Sequence, residues 1–388
     1  MKKRLSLLES ITVFLLVGLI VSLALYSGWN LGYRGRGLNP FNSIKQGKEM
    51  ADFERVLNLI KENYDGQFNE SASVDDSIEK LVDNLGDSHS YYVSKNDYRL
   101  LIKEEKGEFV GIGIIYDFEN HFPVIVAVLP GSPAELIGLK PGDKIVQIND
   151  VDVETLNNEV EVMNRLGGKE GDVVKIKLFD KSRDRVYIVA RAKFTSPDII
   201  YHKLEDGISY MRIYQFGPRL KSEFQDISSS LKINQVKKLI IDLRNNIGGD
   251  TESAVFLADQ FINQGIIVKE IDKKNNQEKV QMTTGTASFK DWKIAVLVNK
   301  RTASAAEILA AAIKDSGRGK LIGERTKGKG TEQAFFELQD GSAIYLTVGK
   351  WLTPKGEWIN EKGIVPDLEI VDNHINESVF IEKARESL

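Results

Sequence analysis

Apolar positions change their rhythm three times along the 388 residues. Ile11 to Trp29, ITVFLLVGLIVSLALYSGW, carries no charge and approaches the ~20 residues a membrane-spanning helix needs. An aperiodic Gly/Asn/Arg-rich stretch over 31–48 follows and reads as a linker. Between 49 and 106 apolar residues recur at helical spacing: Phe53, Val56, Leu57 and Ile60, then Ile78, Leu81, Val82 and Leu85. That predicts a small helical domain, interrupted at LGDSHSYY (Leu85 to Tyr92) and offering a surface on which two copies can associate. Over 107–195 the texture becomes short strands and turns, with FVGIGIIYD alternating and GDVVKIKLFD and DRVYIVARA forming a strand pair. From Ser196 to the end, the strands GISYMRIYQF, VKKLIIDLR and WKIAVLVN alternate with helices over 252–264 and 304–314. This is the pattern of an α/β core.

Charge adds a direction to the first segment. Lys2, Lys3 and Arg4 precede the uncharged run, and positive flanks stay on the cytoplasmic side. Residues 1–30 are therefore expected to be a leader and single-pass anchor of a bacterial membrane protein, with everything after them extracytoplasmic. A cleaved signal peptide is the alternative, using the small pair Ser22 and Ala24. The balance of 52 Lys+Arg against 56 Asp+Glu gives −4, so nothing in the composition draws the chain to nucleic acid. With no cysteine, disulfides, thiolate metal sites and cysteine nucleophiles are excluded. No metal or cofactor is expected.

The candidate chemistry lies in three glycine- or alanine-rich segments of the last region. In RTASAAEILAAAIKD, Ser304 and Glu307 form a capping-box pattern ahead of an apolar helix. A serine there also lies beside unpaired N–H groups and the positive end of the helix dipole, so it is a nucleophile candidate once a base is found. Histidine is the usual base, but none of His89, His121, His202 and His374 lies in a glycine-framed part of the α/β region. His89, in GDSHS, is the least easily dismissed and leaves a Ser–His reading open. In GERTKGKGTEQ, Lys329 is framed by Gly328 and Gly330. To act as a base it must be neutral, against a reference pKa of about 10.4. In an extended segment Lys329, Thr331 and Gln333 share a face, so Gln333 can orient the amine; Lys327 has the same parity and is the second candidate base. LIIDLRNNIGGD is an apolar strand opening through Gly248 and Gly249 onto a helix. Such a turn can aim the Gly248 N–H at a developing oxyanion, with the Ala305 N–H as partner.

In the middle region, VGIGI (Val110, Gly111, Ile112, Gly113 and Ile114) can form a nest of N–H groups for a carboxylate. Its continuation, VLPGSPAELIGLKPGDKIVQINDVDV and then RLGGKEGDVVKIKL, resembles the PDZ domains of bacterial proteases. That resemblance implies capture of a peptide C-terminus by strand addition; a spacer that binds nothing is the alternative.

Together with DLRNNIGG, LVNKRTASAAEILAAAIKDSGRGKLIGERTKGKG and LQDGSAIYLTVGKWLTPKGEWINEKGIVPD, these segments resemble the carboxyl-terminal processing proteases, tail-specific serine peptidases with a Ser–Lys dyad. The resemblance implies a multidomain α/β protein: transmembrane helix, helical domain, PDZ domain and crotonase-like peptidase core. It assigns the nucleophile to Ser304, the base to Lys329 at the family's separation of 25, its positioning amide to Gln333 and the oxyanion donors to Gly248 and Ala305. It also implies protein or peptide substrates with accessible C-termini. Two positions depart from the family: Ile247 stands where proline is usual, and Lys327 where an aromatic is usual. A tethered peptide-binding scaffold without useful catalysis is the reading from another class.

Overall fold

The computed structural model describes residues 48–105, 109–119, 122–156, 162, 165–179, 185–204, 206–233, 237–272, 277–370 and 377–388. The apolar run 11–29 lies outside them, as do His121 and His374. Among the described residues no helix is long and apolar enough to cross a membrane. The described residues up to Val74 form a unit of their own, containing helix α1 (Lys48–Asn63) and the start of α2 (Glu70–Asp83). Met50, Phe53, Val56 and Leu59 leave an apolar stripe of α1 exposed.

From Asp75 onward the chain is a second unit. The interruption predicted at LGDSHSYY is strand β1 (Tyr91–Val93), followed by α3 (Lys95–Glu105). The middle region then builds β2 (Phe109–Gly111), β3 (Ile114–Glu119), β4 (Phe122–Val128), the short α4 (Pro133–Leu136), β5 (Ile145–Ile148), β6 (Val151–Asp152), β7 (Val173–Leu178), β8 (Arg185–Ala190) and β9 (Ala192–Phe194). Its sheets are β6-β5-β7-β8, the hairpin β3–β4 and the pair β2–β9. Val174, Ile176 and Leu178 of β7 point into a core shared with Ile112, Ile125, Ile145 and Ile148. Residues between them on β7 face outward, which is the period-2 rule at work. FVGIGIIYD is not one strand. It breaks at Gly113, where φ is +80° and a Cβ would lie 2.1 Å from the Ser132 Cβ.

The last region carries β10 (Ile199–Lys203), β11 (Ser209–Ile213), α5 (Leu220–Lys232), β12 (Lys238–Asp242), α6 (Thr251–Phe261), β13 (Ile266–Asp272), β14 (Gln277–Met282), β15 (Lys293–Val298), α7 (Ala305–Asp315), β16 (Gly319–Gly323), β17 (Thr331–Glu337), β18 (Ala343–Leu352), β19 (Leu368–Glu369) and α8 (Glu377–Ser387). A six-stranded sheet runs β10-β11-β12-β15-β16-β19, parallel apart from its first pair. Leu239, Ile241, Val296 and Val298 join the core that α6 and α7 cover, while Ile240, Ala295 and Leu297 face Phe380 and Ala384 of α8. Burial on both faces is why these strands read as continuous apolar runs. Residues Ala305 to Ile313 are all buried, which explains a stretch that is apolar apart from Glu307.

A second, antiparallel sheet is centred on β18, which pairs with β17, β13 and β1. Tyr91 lies opposite Tyr345 with ring centroids 5.2 Å apart, and Phe335 packs on Tyr345 at 4.4 Å. The segment ahead of the PDZ-like region is thereby sewn into the sheet that follows Lys329.

Candidate active site

Strands β12 and β15 are parallel neighbours, and the loops leaving their C-terminal ends meet. Asn299 holds them together: its Oδ1 accepts the Asn245 N–H at 2.9 Å and its Nδ2 donates to Asn245 Oδ1 at 2.7 Å. The Ala303 N–H donates to the Asn246 carbonyl at 2.9 Å. Gly248, with φ +108°, is pressed so closely on the start of α7 that a Cβ would lie 2.8 Å from the Ser304 Cβ and 3.0 Å from the Ala305 nitrogen. Only glycine fits this approach.

Ser304 itself has φ +54° and ψ −122°. A non-glycine residue held in such a sparsely populated region costs on the order of 1–3 kcal/mol and persists where the surroundings enforce it. Here they do. The Ser304 N–H donates to the Glu307 carboxylate at 3.0 Å, closing the return half of the predicted capping box. The Glu307 N–H goes back to the Ser304 carbonyl at 2.8 Å. Among the described residues the Ala305 N–H has no acceptor, as expected for the first turn of a helix.

Glu307 does far more than cap. Fully buried, it also accepts the Lys329 N–H at 2.9 Å, the Gly328 N–H at 2.7 Å and the Thr326 hydroxyl in a short bond. Burial pushes its carboxyl pKa up, and the bonds from Thr326, Lys329, Gly328 and Ser304 pull against that. Every one of these contacts is a donor, so the cradle fits a carboxylate. One anion thus fixes the backbones of Ser304 and Lys329 side by side. The glycines framing Lys329 are required by close packing: a Cβ at Gly328 would lie 2.5 Å from the Gly363 nitrogen, and one at Gly330 2.8 Å from the Asn360 nitrogen. Lys329 is half-buried, and its carbonyl accepts the Trp351 indole N–H at 3.0 Å. Lys327 is exposed.

Strand β17 begins only at Thr331, so Lys329 occupies the turn ahead of it rather than sharing a regular strand face with Gln333. The Gln333 amide nitrogen donates to Thr331 Oγ1 at 2.8 Å and Thr347 Oγ1 at 3.2 Å. Burial first, then the Lys329 charge, holds the His89 pKa below the ordinary imidazole range. His202 stacks on Tyr210 at 4.7 Å.

The turn expected to donate to an oxyanion holds a contact that its glycines did not announce. The Gly248 N–H donates to Asn246 Oδ1 at 2.8 Å, while Asn246 Nδ2 donates to the Ile213 carbonyl at 2.9 Å. Of the two expected donors, Gly248 and Ala305, only Ala305 presents an open N–H among the described residues.

In the Val110–Ile114 loop the roles are reversed. The Ile112 and Gly113 carbonyls accept the Ala134 and Leu129 N–H groups at 2.8 and 3.0 Å. Among the described residues their own N–H groups have no acceptor. The loop lines a cavity of about 740 Å³ whose apolar wall includes Leu129, Leu166 and Phe194. Residues 86–88 and Ser90 form another wall, and Gln215 and Ile247 of the core also line it. Ile247 is the neighbour of Gly248, so the cavity extends from the Val110–Ile114 loop to the 246–248 turn.

Comparison with known proteins agrees with these parts. Residues 207–370 match Peptidase family S41, and residues 124–178 match the PDZ domain. The chain is 34% identical over 321 residues to the carboxy-terminal processing protease CtpA of Bacillus subtilis (strain 168), covering 81% of this chain and 67% of that protein. It is 30% identical over 359 residues to a probable CtpA-like serine protease of Staphylococcus aureus (strain MRSA252), covering 92% and 72%. A solved photosystem II D1 C-terminal processing protease superposes with a TM-score of 0.69 at 26% identity, over 88% of this chain and 92% of that one. A nucleophile-like serine beside a glycine turn, a PDZ module and this agreement lead to one conclusion: the chain is a serine peptidase that belongs to family S41, among the C-terminal processing proteases.

Proposed function

We propose that this peptidase captures the C-termini of extracytoplasmic proteins on the Val110–Ile114 loop and cleaves them with a Ser304–Lys329 dyad. Neutral Lys329 takes the Ser304 hydroxyl proton as Oγ attacks a peptide carbonyl. The Ala305 N–H stabilises the oxyanion, joined by the Gly248 N–H once the 246–248 turn releases it from Asn246. Collapse of the tetrahedral intermediate expels the amine, which takes the proton from Lys329. Water then attacks the acyl-enzyme, losing its proton to the lysine, and the Ser304 hydroxyl is restored. Gln333 keeps the strand face beside Lys329 in order through Thr331 and Thr347.

One observation carries the dyad: the Glu307 carboxylate accepts the backbone N–H groups of both Ser304 and Lys329. Tail recognition draws support from the open Ile112 and Gly113 amides and from the cavity reaching Ile247. The basic leader and the apolar run 11–29 support an anchor that holds the enzyme at the outer side of a bacterial membrane. The exposed stripe on α1 supports self-association.

The test uses an unstructured protein substrate with a free or an amidated C-terminus. Wild type should cleave the free-ended form faster, and Ser304→Ala and Lys329→Ala should each abolish cleavage of both. Retained cleavage in either variant overturns the dyad, and equal rates on the two substrates overturn tail recognition.

A further inference from the structure

Gln215 lies on the core side of the cavity that the Val110–Ile114 loop lines, and its surroundings fix which way its amide faces. Its Nε2 donates to Asp198 Oδ1 at 2.7 Å. Asp198 is fully buried, and its Oδ2 accepts the Arg219 N–H at 2.9 Å. Gly217 passes so close that a Cβ there would lie 2.5 Å from Asp198 Oδ1. A carboxylate only accepts, so the NH₂ arm of Gln215 faces Asp198 and the carbonyl arm is the one left over. Among the described residues no donor meets Gln215 Oε1. The segment carrying Gln215 is tied to the 246–250 turn on both sides. Ahead of it the Ile213 carbonyl accepts Asn246 Nδ2 at 2.9 Å. Behind it the Phe216 N–H donates to the Gly248 carbonyl at 2.9 Å, and the Phe216 carbonyl accepts the Asp250 N–H at 2.8 Å. Gln215 therefore keeps a fixed place beside the turn that adjoins Ser304, in a cavity shared with Ile247 and with the loop proposed to hold the tail.

We propose, resting on the tail-recognition reading, that Gln215 is a substrate-binding residue. Its Oε1 accepts a backbone N–H of the extended peptide that runs from the Val110–Ile114 loop to Ser304, and Asp198 holds the amide in the orientation that presents this acceptor. The group recognised is main chain, since every residue but proline carries that donor. Recognition at this point is therefore indifferent to side chains and closed to proline. It holds the segment upstream of the tail in register whatever its sequence. Asp198 acts only through Gln215 and is a positioning residue.

The test uses peptides with one cut site and a free C-terminus, methylated on one backbone nitrogen at a time between the tail and the scissile bond. In the wild-type enzyme one methylation should lower kcat/KM about three- to tenfold, the worth of one hydrogen bond, and proline at that position should do the same. In Gln215→Leu the unmethylated peptide should lose that factor, and the methylation should then cost nothing further. In Asp198→Asn the new amide can still accept the Arg219 N–H and can donate to Gln215 Oε1. That turns the Gln215 amide over and offers the cavity a donor in place of the acceptor. Asp198→Asn should therefore behave as Gln215→Leu does, and it carries the test if Gln215→Leu fails to fold. A purely structural role would lower the rate on every peptide and leave the cost of each methylation unchanged. A wild-type scan with no sensitive position overturns the proposal, and so does one whose every loss persists undiminished in the variants. If wild type cleaves free-ended and amidated peptides equally, tail recognition fails and this proposal with it. A retained preference for the free end, with no position coupled to Gln215, overturns the proposal alone.

Discussion

The Val110–Ile114 loop and the Asn245–Gly249 turn are both glycine-containing segments proposed to bring N–H groups toward negative charge, and they stand in opposite states. In the first, the Ile112 and Gly113 carbonyls are occupied and the amides are open. In the second, the Gly248 amide is bonded to Asn246 Oδ1 at 2.8 Å. Backbone donors are rarely left unpaired in a protein interior. Under the proposed function, the open pair lining the cavity is ready for a ligand, and the satisfied one has to rearrange before it can donate to an oxyanion. On the same reading, tail capture needs no movement of its loop, whereas full oxyanion stabilisation needs residues 246–248 to turn. Ile247 lines the same cavity as the carboxylate loop. On the proposed function, a substrate chain lying there would touch the residue next to the amide to be released.

The sharpest way to break this comparison is Gly248→Ala. The new Cβ meets the Ser304 Cβ at 2.8 Å from a backbone at φ +108°, so the turn cannot keep its place. Because losing one oxyanion donor costs about 10²–10³ in kcat, activity should fall at least that far while binding of a C-terminal peptide is retained. Next comes Glu307→Gln, which turns an amide NH₂ toward N–H donors. It should destabilise the fold by about 1–3 kcal/mol, the penalty of buried unpaired groups, read by denaturant unfolding, and should slow cleavage because Ser304 and Lys329 lose their shared anchor. The smallest effect belongs to Gly113→Ala. Its φ of +80° and the close Ser132 side chain should distort the carboxylate loop and raise KM for free-ended substrates about tenfold, or ~1.4 kcal/mol. Here kcat should hold. A Gly113→Ala enzyme that loses kcat instead would show that the two turns are not separable.

Much of this was legible in the chain. The buried strands, the largely apolar α7, the glycine frame of Lys329 and the pairing of Ser304 with Glu307 all follow from short-range pattern. Contacts between distant segments did not. Glu307 satisfies a local capping rule so well that nothing in the sequence marks Thr326, Gly328 and Lys329 as its other partners. LGDSHSYY interrupts a helical pattern, but only pairing with β18 makes Tyr91–Val93 a strand, because three residues carry too little periodicity to declare one. The expected shared face of Lys329, Thr331 and Gln333 assumed a strand that starts two residues later than needed. Backbone conformation was hidden as well: Ser304 at φ +54° is imposed by its surroundings, not by a residue type that favours it.

The most direct measurement of the central claim is covalent trapping with a serine-directed acylating reagent, followed by peptide mapping by mass spectrometry. The account predicts a single adduct on Ser304 in the wild-type enzyme and none in Lys329→Ala over the same time. Adduct formation on Ser304 at the wild-type rate in Lys329→Ala would contradict it.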